Sequence, residues 1–291
     1  MMFAAILWGA GWPALKLLAN SAPSEDVMFV ELTAASLFAA TIAAARRMTF
    51  PDWRRIRIAA SVGLIEPGIA YLFFALGIAR TTASFATMID ALQPIAIIFI
   101  AAIVFRERLP ITALPFVFIA ICGTALSLGF HDFLSLHRRQ LLSGDALVAL
   151  GVLAAALHSV LMKRVIVDLN PVFVTAIQHI VGAIVVGAAA LVLTWHTGDI
   201  PSWNVKDLAI ITGVGIITIA VPFWLYIAAV RTISGTLVGI GIAFIPISGL
   251  VLSAVLVKEA LSPIQLAGAA IAIVSLFIAV VLERNYRYVP R

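Results

Sequence analysis

Residues 80–109 read RTTASFATMIDALQPIAIIFIAAIVFRERL, and residues 231–261 read RTISGTLVGIGIAFIPISGLVLSAVLVKEAL. Each stretch opens with Arg-Thr, carries one proline inside a long apolar run, and ends in charged residues close to a leucine. From Pro94 in the first stretch and Pro246 in the second, the next glutamate is 13 residues away. We interpret the chain as two related halves offset by about 150 residues, which is a form of internal repetition.

The composition of the chain excludes a water-soluble globule. Of the 291 residues, 63% are hydrophobic and 11% are charged, and the mean hydropathy is +1.13. Soluble domains are nearer 45–50% apolar and about 25% charged. The apolar runs are long and continuous, whereas strands of a membrane barrel would alternate apolar and polar residues over roughly 10 positions. The sequence therefore predicts an all-α integral membrane protein.

Charge and cysteine usage narrow the remaining classes. The net charge of +5 is small and comes from loops beside helix ends, so nucleic acid is not an expected partner. The chain has one cysteine, Cys122, which allows no intrachain disulfide and no cysteine metal site. The N-terminus lacks a basic region and a clear cleavage site, so we interpret it as a retained first span. We expect no cofactor and no metal.

Apolar runs of spanning length divide the chain into ten predicted transmembrane helices. Their approximate bounds are 2–20, 27–45, 57–79, 82–105, 111–130, 145–163, 171–195, 208–230, 233–257 and 262–282. We assign 1–130 to a first five-helix repeat, 131–144 to a connecting loop that includes a short interfacial helix or is irregular throughout, and 145–291 to a second repeat with a short C-terminal tail. Thirteen of the nineteen Lys and Arg residues fall on the face that holds both termini, which predicts cytoplasmic termini. Five spans is an odd number, so the repeats would be inverted.

The opening stretch WGAGWPALK, residues 8–16, and the two proline-to-glutamate stretches resemble the drug/metabolite transporter superfamily, EamA type. The small-residue run ICGTA, residues 121–125, adds to the resemblance, which covers nearly the whole chain. It implies a ten-helix secondary transporter or facilitator, often an exporter of amino acids or other small metabolites. Members commonly carry a basic residue near the position of Glu31, so no role is transferred to that residue from the family.

Acidic residues inside the spans are the first candidates for function, because a charge in the membrane is costly and usually faces a cavity or a partner. Glu66 lies in mid-span beside Pro67, which removes a backbone donor. It is either a transport residue or one member of a buried structural pair. Glu31 lies nearer a helix end, where the alternative is a carboxylate paired with a neighbouring helix or reaching the interface.

A second polar group precedes Pro94 in the fourth span. Asp90 and Gln93 share one helix face with Thr87, and Pro94 deprives the carbonyl of Asp90 of its usual donor. These groups would form a polar pocket. The alternative is a proline kink whose freed groups are satisfied by Thr87 and water.

The second half carries histidines where the first half carries acids. The candidates are His158 in the sixth span and Gln178 with His179 in the seventh. Glu31 and Gln178 occupy matching positions, since each follows its lysine, Lys16 or Lys163, by 15 residues. An acid and a histidine facing each other across a cavity would form a proton relay. For each histidine alone, an interhelical hydrogen bond is the alternative.

Aromatic residues and prolines complete the candidate set. We expect the cavity to be lined by spans one, three, four, six, eight and nine. Its aromatic lining would come from Trp8, Trp12, Tyr71, Phe74 and Trp224, although Trp and Tyr also favour membrane interfaces. Helix breaks are expected at Pro67, Pro94, Pro222 and Pro246.

These observations predict a secondary transporter of the bacterial inner membrane that exports small metabolites, such as amino acids or amines, by alternating access. The expected partners are the substrate, the lipid bilayer and protons. The chain would be a monomer or, through the GxxxG pattern of Gly235 and Gly239, a homodimer. The alternatives are a proton-independent facilitator of the same fold, an integral-membrane enzyme acting on lipid-linked substrates, and a structural or regulatory membrane partner.

Overall fold

The computed structural model describes residues 1–19, 22–49, 51–105, 114–127, 136–165, 169–232, 244–258 and 261–287, and the regular secondary structure of these residues is helical. Its α-helices in chain order are α1 (Met2–Gly9), α2 (Gly11–Leu18), α3 (Ser24–Ala45), α4 (Trp53–Gly63), α5 (Ala70–Ile78), α6 (Ala83–Asp90), α7 (Gln93–Phe105), α8 (Leu114–Ser127), α9 (Leu136–Val165), α10 (Pro171–Thr197), α11 (Val205–Gly215), α12 (Val221–Thr232), α13 (Phe244–Leu252) and α14 (Pro263–Arg287).

Six helical segments of the described chain are long and apolar enough to cross a membrane. They are Ser24–Ala45, Trp53–Ile78, Ala83–Val104, Ser143–Met162, Pro171–Thr197 and Val205–Ala229. Shorter apolar helices cover Met2–Leu18, Ser248–Val257 and Pro263–Ser275. Large apolar side chains point outward from these segments, for example Ile103 at 77% exposure and Leu191 at 70%. An apolar exterior of this kind requires a lipid environment.

Two wide turns interrupt long helices within the described residues, the first as a kink at Glu66 and the second as a π-helical turn. The first wide turn, Leu64–Ile69, joins α4 to α5. The second wide turn, Ile216–Ala220, joins α11 to α12. A π turn carries one extra residue and is frequent at functional sites. A third, Ser253–Val257, follows α13.

The four prolines expected at breaks lie at or near interruptions. Pro67 is inside the first wide turn, where Glu66 leaves the helical region with φ −144° and ψ 129°. Pro94 is the second residue of α7, which Ala91 and Leu92 separate from α6. Pro222 is the second residue of α12, which directly follows the second wide turn. Pro246 is the third residue of α13, and the residues before that helix, 233–243, lie outside the described ones.

One further break was not expected. The first span divides at Ala10 into α1 and α2, three residues before Pro13. Pro13 has no N–H to donate to the carbonyl of Gly9. The loss of a backbone donor at proline, which we used to predict a break at Pro94, predicts this break as well.

Helix ends account for most differences from the expected bounds. α4 begins four residues early because Asp52 accepts a hydrogen bond from the backbone N–H of Arg55 at 3.0 Å. α11 begins three residues early because Asn204 and Asp207 form a capping box. α9 begins at Leu136, so residues 136–144 of the expected connecting loop are helical. Glu107, Gly235, Gly239 and Glu259 lie outside the described residues.

Helices from the two halves pack against each other through close crossings. α3 lies along α10, and α8 lies along α14. Gly215 meets Glu31 so closely that a Cβ on the glycine would lie 2.5 Å from the glutamate Cα. Gly63 meets Gln178 in the same way, at 2.8 Å from its Cα. The largest buried apolar cluster of the described residues draws on α2, α3, α5, α6, α9, α10 and α11, and it contains Trp12.

Candidate functional site

A cavity of about 120 Å³ lies between the broken helices. All six expected segments contribute to its walls, and α3 contributes as well. The lining residues are Trp8, Gly11, Trp12, Leu15, Met28, Glu31, Glu66, Tyr71, Phe74, Asp90, Gln93, Ala155, His158, Ser159, Thr218, Ile219, Phe223, Tyr226 and Ile245. The space suffices for several water molecules or a small solute.

Glu66 and His158 form the closest polar pair at this cavity among the described residues. The wide turn carries Glu66 towards α9, where its Oε2 lies 2.9 Å from Nδ1 of His158. Both side chains are largely buried, at 12% and 2% exposure. The acid and the histidine that the sequence places in different halves are thus in direct contact, and their arrangement can serve as a buried structural pair or as a proton-exchanging pair.

Gln178 orients the imidazole of His158 through the ring nitrogen that does not contact Glu66. Its Oε1 lies 3.3 Å from Nε2 of His158, while its Nε2 donates to the carbonyl of Ala59 at 3.4 Å and to Met162 Sδ at 3.2 Å. Because the amide oxygen can only accept, Nε2 of the ring carries a hydrogen. The contact between Nδ1 and the carboxyl of Glu66 then holds one proton, on either group. Gln178 therefore supports the site without lining the cavity.

Asp90 lies at the contact between α2 and α6. The indole N–H of Trp12 in α2 donates to Oδ2 of Asp90 in α6 at 3.3 Å. Gln93 follows at the start of α7 and also lines the cavity. Thr87 does not complete a polar strip with them, because its hydroxyl donates to the carbonyl of Ala83 at 2.8 Å within its own helix.

Glu31 is deeper than its sequence position indicates. It is the eighth residue of α3, since the helix begins at Ser24, and its exposure is 2%. Its side chain reaches the cavity, and its Oε1 has no hydrogen-bond partner. Pairing with a neighbouring helix, which was the alternative for Glu31, is therefore not seen for this oxygen.

His179 lies outside the cavity. Its Nδ1 is 2.7 Å from the carbonyl of Thr175, one turn earlier in α10, and its Nε2 has no hydrogen-bond partner. Its ring stands edge-on to Phe223 with centroids 4.8 Å apart. The ring packs behind an aromatic residue of the cavity wall.

Four of the five expected aromatic residues are at the cavity, and Trp224 is not. Trp224 packs on a separate cluster with Ala43, and the guanidinium of Arg46 lies 5.9 Å from its ring centroid. Its neighbour Phe223 takes the cavity position instead, on the same helix face as Tyr226. The spacing of three residues between those two aromatics is the signal that would have found Phe223.

No group of three or more His, Cys, Asp or Glu residues that could hold a metal ion occurs among the described residues.

A family model for the EamA-like transporter family matches residues 1–129 and 142–281. The chain belongs to this family. The resemblance predicted from WGAGWPALK and the two proline-to-glutamate stretches is thereby confirmed. Together with the six apolar helices, the match identifies a multi-pass membrane protein of a transporter family.

Relatives of this chain are described as uncharacterized transporters. One from Methanothermobacter thermautotrophicus is 27% identical over 205 residues, which is 69% of this chain and 58% of that protein. One from Synechocystis is 27% identical over an alignment of 292 positions, which covers 94% of this chain and 86% of that protein. The matched region thus spans less than two thirds of the first relative. A solved crystal structure aligns with a TM-score of 0.68 at 17% identity, covering 97% of this chain and 96% of that one, which shows a shared fold.

Proposed function

We propose that the protein is a secondary transporter of the bacterial inner membrane that moves a small metabolite by alternating access. The relatives named as transporters support the activity. The observation that carries the proposal is the contact of Glu66 with His158, because it puts one exchangeable proton at a break in a helix that faces the cavity. A proton and a solute that meet in one cavity can be coupled.

The architecture we propose is two inverted repeats of five transmembrane helices, ten in all, with the cavity between them. Matched positions support it. Trp8 and Trp12 correspond to Ala155 and Ser159 at the offset of 147 residues that aligns Lys16 with Lys163, and all four line the cavity. At an offset of 152, the lining residues Glu66, Tyr71, Phe74 and Gln93 correspond to the lining residues Thr218, Phe223, Tyr226 and Ile245.

The packing of the helices adds support for the inverted repeats. The crossing of Glu31 with Gly215 has its counterpart in the crossing of Gln178 with Gly63. Each of these glycines directly precedes a wide turn. A pseudo-twofold relation would exchange the two crossings and the two turns, and alternating access would then be movement of one repeat against the other.

We further propose that both termini are cytoplasmic, that the solute is exported, and that it leaves chemically unchanged, which distinguishes a transporter from an enzyme. Thirteen of the nineteen Lys and Arg residues would face the cytoplasm in this orientation. Recovery of an intact labelled solute after translocation would separate transport from turnover in the membrane.

The test is efflux from proteoliposomes with a labelled panel of amino acids and amines. Wild type and Glu66→Gln are measured at two pH values, with and without a proton gradient. The expected result is flux that follows the gradient in the wild type and falls by about two orders of magnitude in the variant, which is the scale of a lost proton-transferring group.

Glu25→Gln is the matched control. Glu25 lies in the first turn of α3 and does not line the cavity. The control should keep wild-type flux and its dependence on the gradient. Flux that ignores both the gradient and Glu66→Gln would make the protein a facilitator and Glu66 a structural residue. Absence of flux across the panel, with Glu25→Gln folded, would count against transport of these solutes.

A further inference from the structure

The ionisable residues that line the cavity are mainly acidic. Its lining includes three carboxyl groups, from Glu31, Glu66 and Asp90, and no lysine or arginine among the described residues. Among the described lining residues, His158 alone can become cationic, and it is already in contact with Glu66. A solute that carries a carboxylate would therefore meet like charges without a fixed cation to receive it.

Two of the three carboxyl groups have polar partners within the protein. Glu66 faces Nδ1 of His158 at 2.9 Å, and Asp90 accepts from the indole of Trp12 at 3.3 Å. Glu31 differs, because its Oε1 is buried without a hydrogen-bond partner while the side chain reaches the cavity. A buried carboxyl oxygen without a donor is costly, and native structures rarely leave one in that condition.

We propose that the cavity binds an organic amine cation bearing an apolar or aromatic group, and that Glu31 receives its ammonium. The inference rests on the proposed transport function and specifies its substrate class. An ammonium group would supply both the missing hydrogen-bond donor and the opposite charge. Glu31 is then a specificity-determining residue, and an amine without a carboxylate is preferred over the corresponding amino acid.

The rest of the wall suits the apolar part of such a cation. Trp12 and Phe74 meet edge to face with centroids 5.0 Å apart, and Tyr71 lies 5.7 Å from Phe74. The ring centroids of Trp8 from the first half and Tyr226 from the second lie 5.3 Å apart. Aromatic faces attract ammonium groups and bury apolar surface at the same time. The lining thus offers carboxylates for the charged end and aromatic rings for the remainder.

The test is calorimetric titration of the purified full-length protein in lipid nanodiscs with four matched probes. Phenethylamine is the cation, phenylalanine the zwitterion, phenylacetate the anion and 2-phenylethanol the neutral analogue. We expect phenethylamine to bind at least about tenfold more tightly than each of the others, which is the scale of one charged contact. Glu31→Gln should weaken phenethylamine binding by about tenfold and leave 2-phenylethanol binding unchanged.

Three variants make the result specific. Glutamine already occupies the matching position of the second half as Gln178, so Glu31→Gln should fold. Glu31→Asp keeps the charge and should retain part of the preference for the amine. Glu25→Gln removes a carboxylate from the same helix outside the cavity and should bind phenethylamine like the wild type.

The outcomes separate this inference from the proposed function. Binding of phenylalanine or phenylacetate as tight as that of phenethylamine would overturn the inference, as would unchanged amine binding in Glu31→Gln. Phenethylamine that binds but does not cross proteoliposomes would leave the binding site standing and count against transport. Phenylalanine that crosses while phenethylamine neither binds nor crosses would support transport and overturn the amine site.

Discussion

The two wide turns face the same cavity from opposite halves of the chain, and they differ in chemistry as well as in backbone shape. In Leu64–Ile69 the cavity residue is Glu66, which contacts His158 of the other half. In Ile216–Ala220 the matching residue is Thr218, whose hydroxyl donates to the carbonyl of Val214 at 2.9 Å within its own helix. Both turns interrupt a helix immediately after a glycine that packs against α3 or α10.

This difference distinguishes a backbone feature, the interruption of the helix, from a side-chain feature, the carboxyl group in the cavity. The interruption of the helix occurs in both halves and therefore belongs to the shared backbone plan. The carboxyl group occurs in the first wide turn only, so the contact of Glu66 with His158 is particular to that turn. Changing the side chains of the turns should affect flux, whereas changing the glycines beside them should affect folding.

The largest effect is expected from Glu66→Thr, which gives the first wide turn the cavity residue of the second. It removes the group that shares a proton with His158, so the initial rate of flux should fall by about two orders of magnitude. Thr218→Val should reduce the rate by about threefold or less, because the hydroxyl it removes is already bonded within its helix. Both rates are measured in proteoliposomes per amount of folded protein. Equal losses in the two variants would mean that the turns are chemically equivalent.

Alanine at the two crossing glycines should lower stability. A Cβ at Gly215 or Gly63 would lie within 3.0 Å of a backbone Cα in the facing helix, so the helices must separate, at a cost of about 1–3 kcal/mol in the free energy of unfolding. Gly213→Ala is the matched control on α11, since nothing lies within 4 Å of its added Cβ. It should be neutral or stabilising by up to about 1 kcal/mol.

Denaturant unfolding of the detergent-solubilised variants measures these differences. If the halves are related by the pseudo-twofold axis proposed above, the losses at Gly63 and Gly215 should be of similar size. A loss at one glycine alone would show that the two crossings do not contribute equally to folding.

The smallest effect is expected from Trp12→Phe. Phenylalanine keeps the edge-to-face packing on Phe74 but removes the N–H that donates to Asp90. Because a single hydrogen bond contributes about 0.5–1.5 kcal/mol, the KM for flux should rise by a few-fold with little change in stability. An unchanged KM would mean that the orientation of Asp90 does not affect solute binding.

The general features were accessible from the sequence because they depend on composition and repetition. The apolar runs predicted helices, and the repeated proline-to-glutamate stretches predicted the family. The position of Glu66 beside Pro67 predicted a carboxyl group at a helix break, where the structure has it. These inferences use the order of residues along the chain and need no knowledge of how the helices rotate against one another.

The remaining features depend on rotation and on helix ends. Phe223 and Trp224 are adjacent and differ by about 100° around α12, so composition alone does not tell which one faces the cavity, and only the three-residue spacing from Phe223 to Tyr226 favours Phe223. The depth of Glu31 was underestimated because α3 begins at Ser24, ahead of the apolar run. Polar residues that cap a helix lie outside the hydrophobic pattern, and a boundary read from that pattern alone is displaced by about a turn.

Cys122 makes the motion of the helices directly observable. It is the single cysteine of the chain and faces outward on α8, while its neighbour Gly123 packs against Ala272 of α14. A thiol-reactive spin label or fluorophore would therefore attach at one position of the natural sequence, on the side away from that contact. Signals recorded with and without phenethylamine would then report on the pairing of α8 with α14, with no engineered cysteine required.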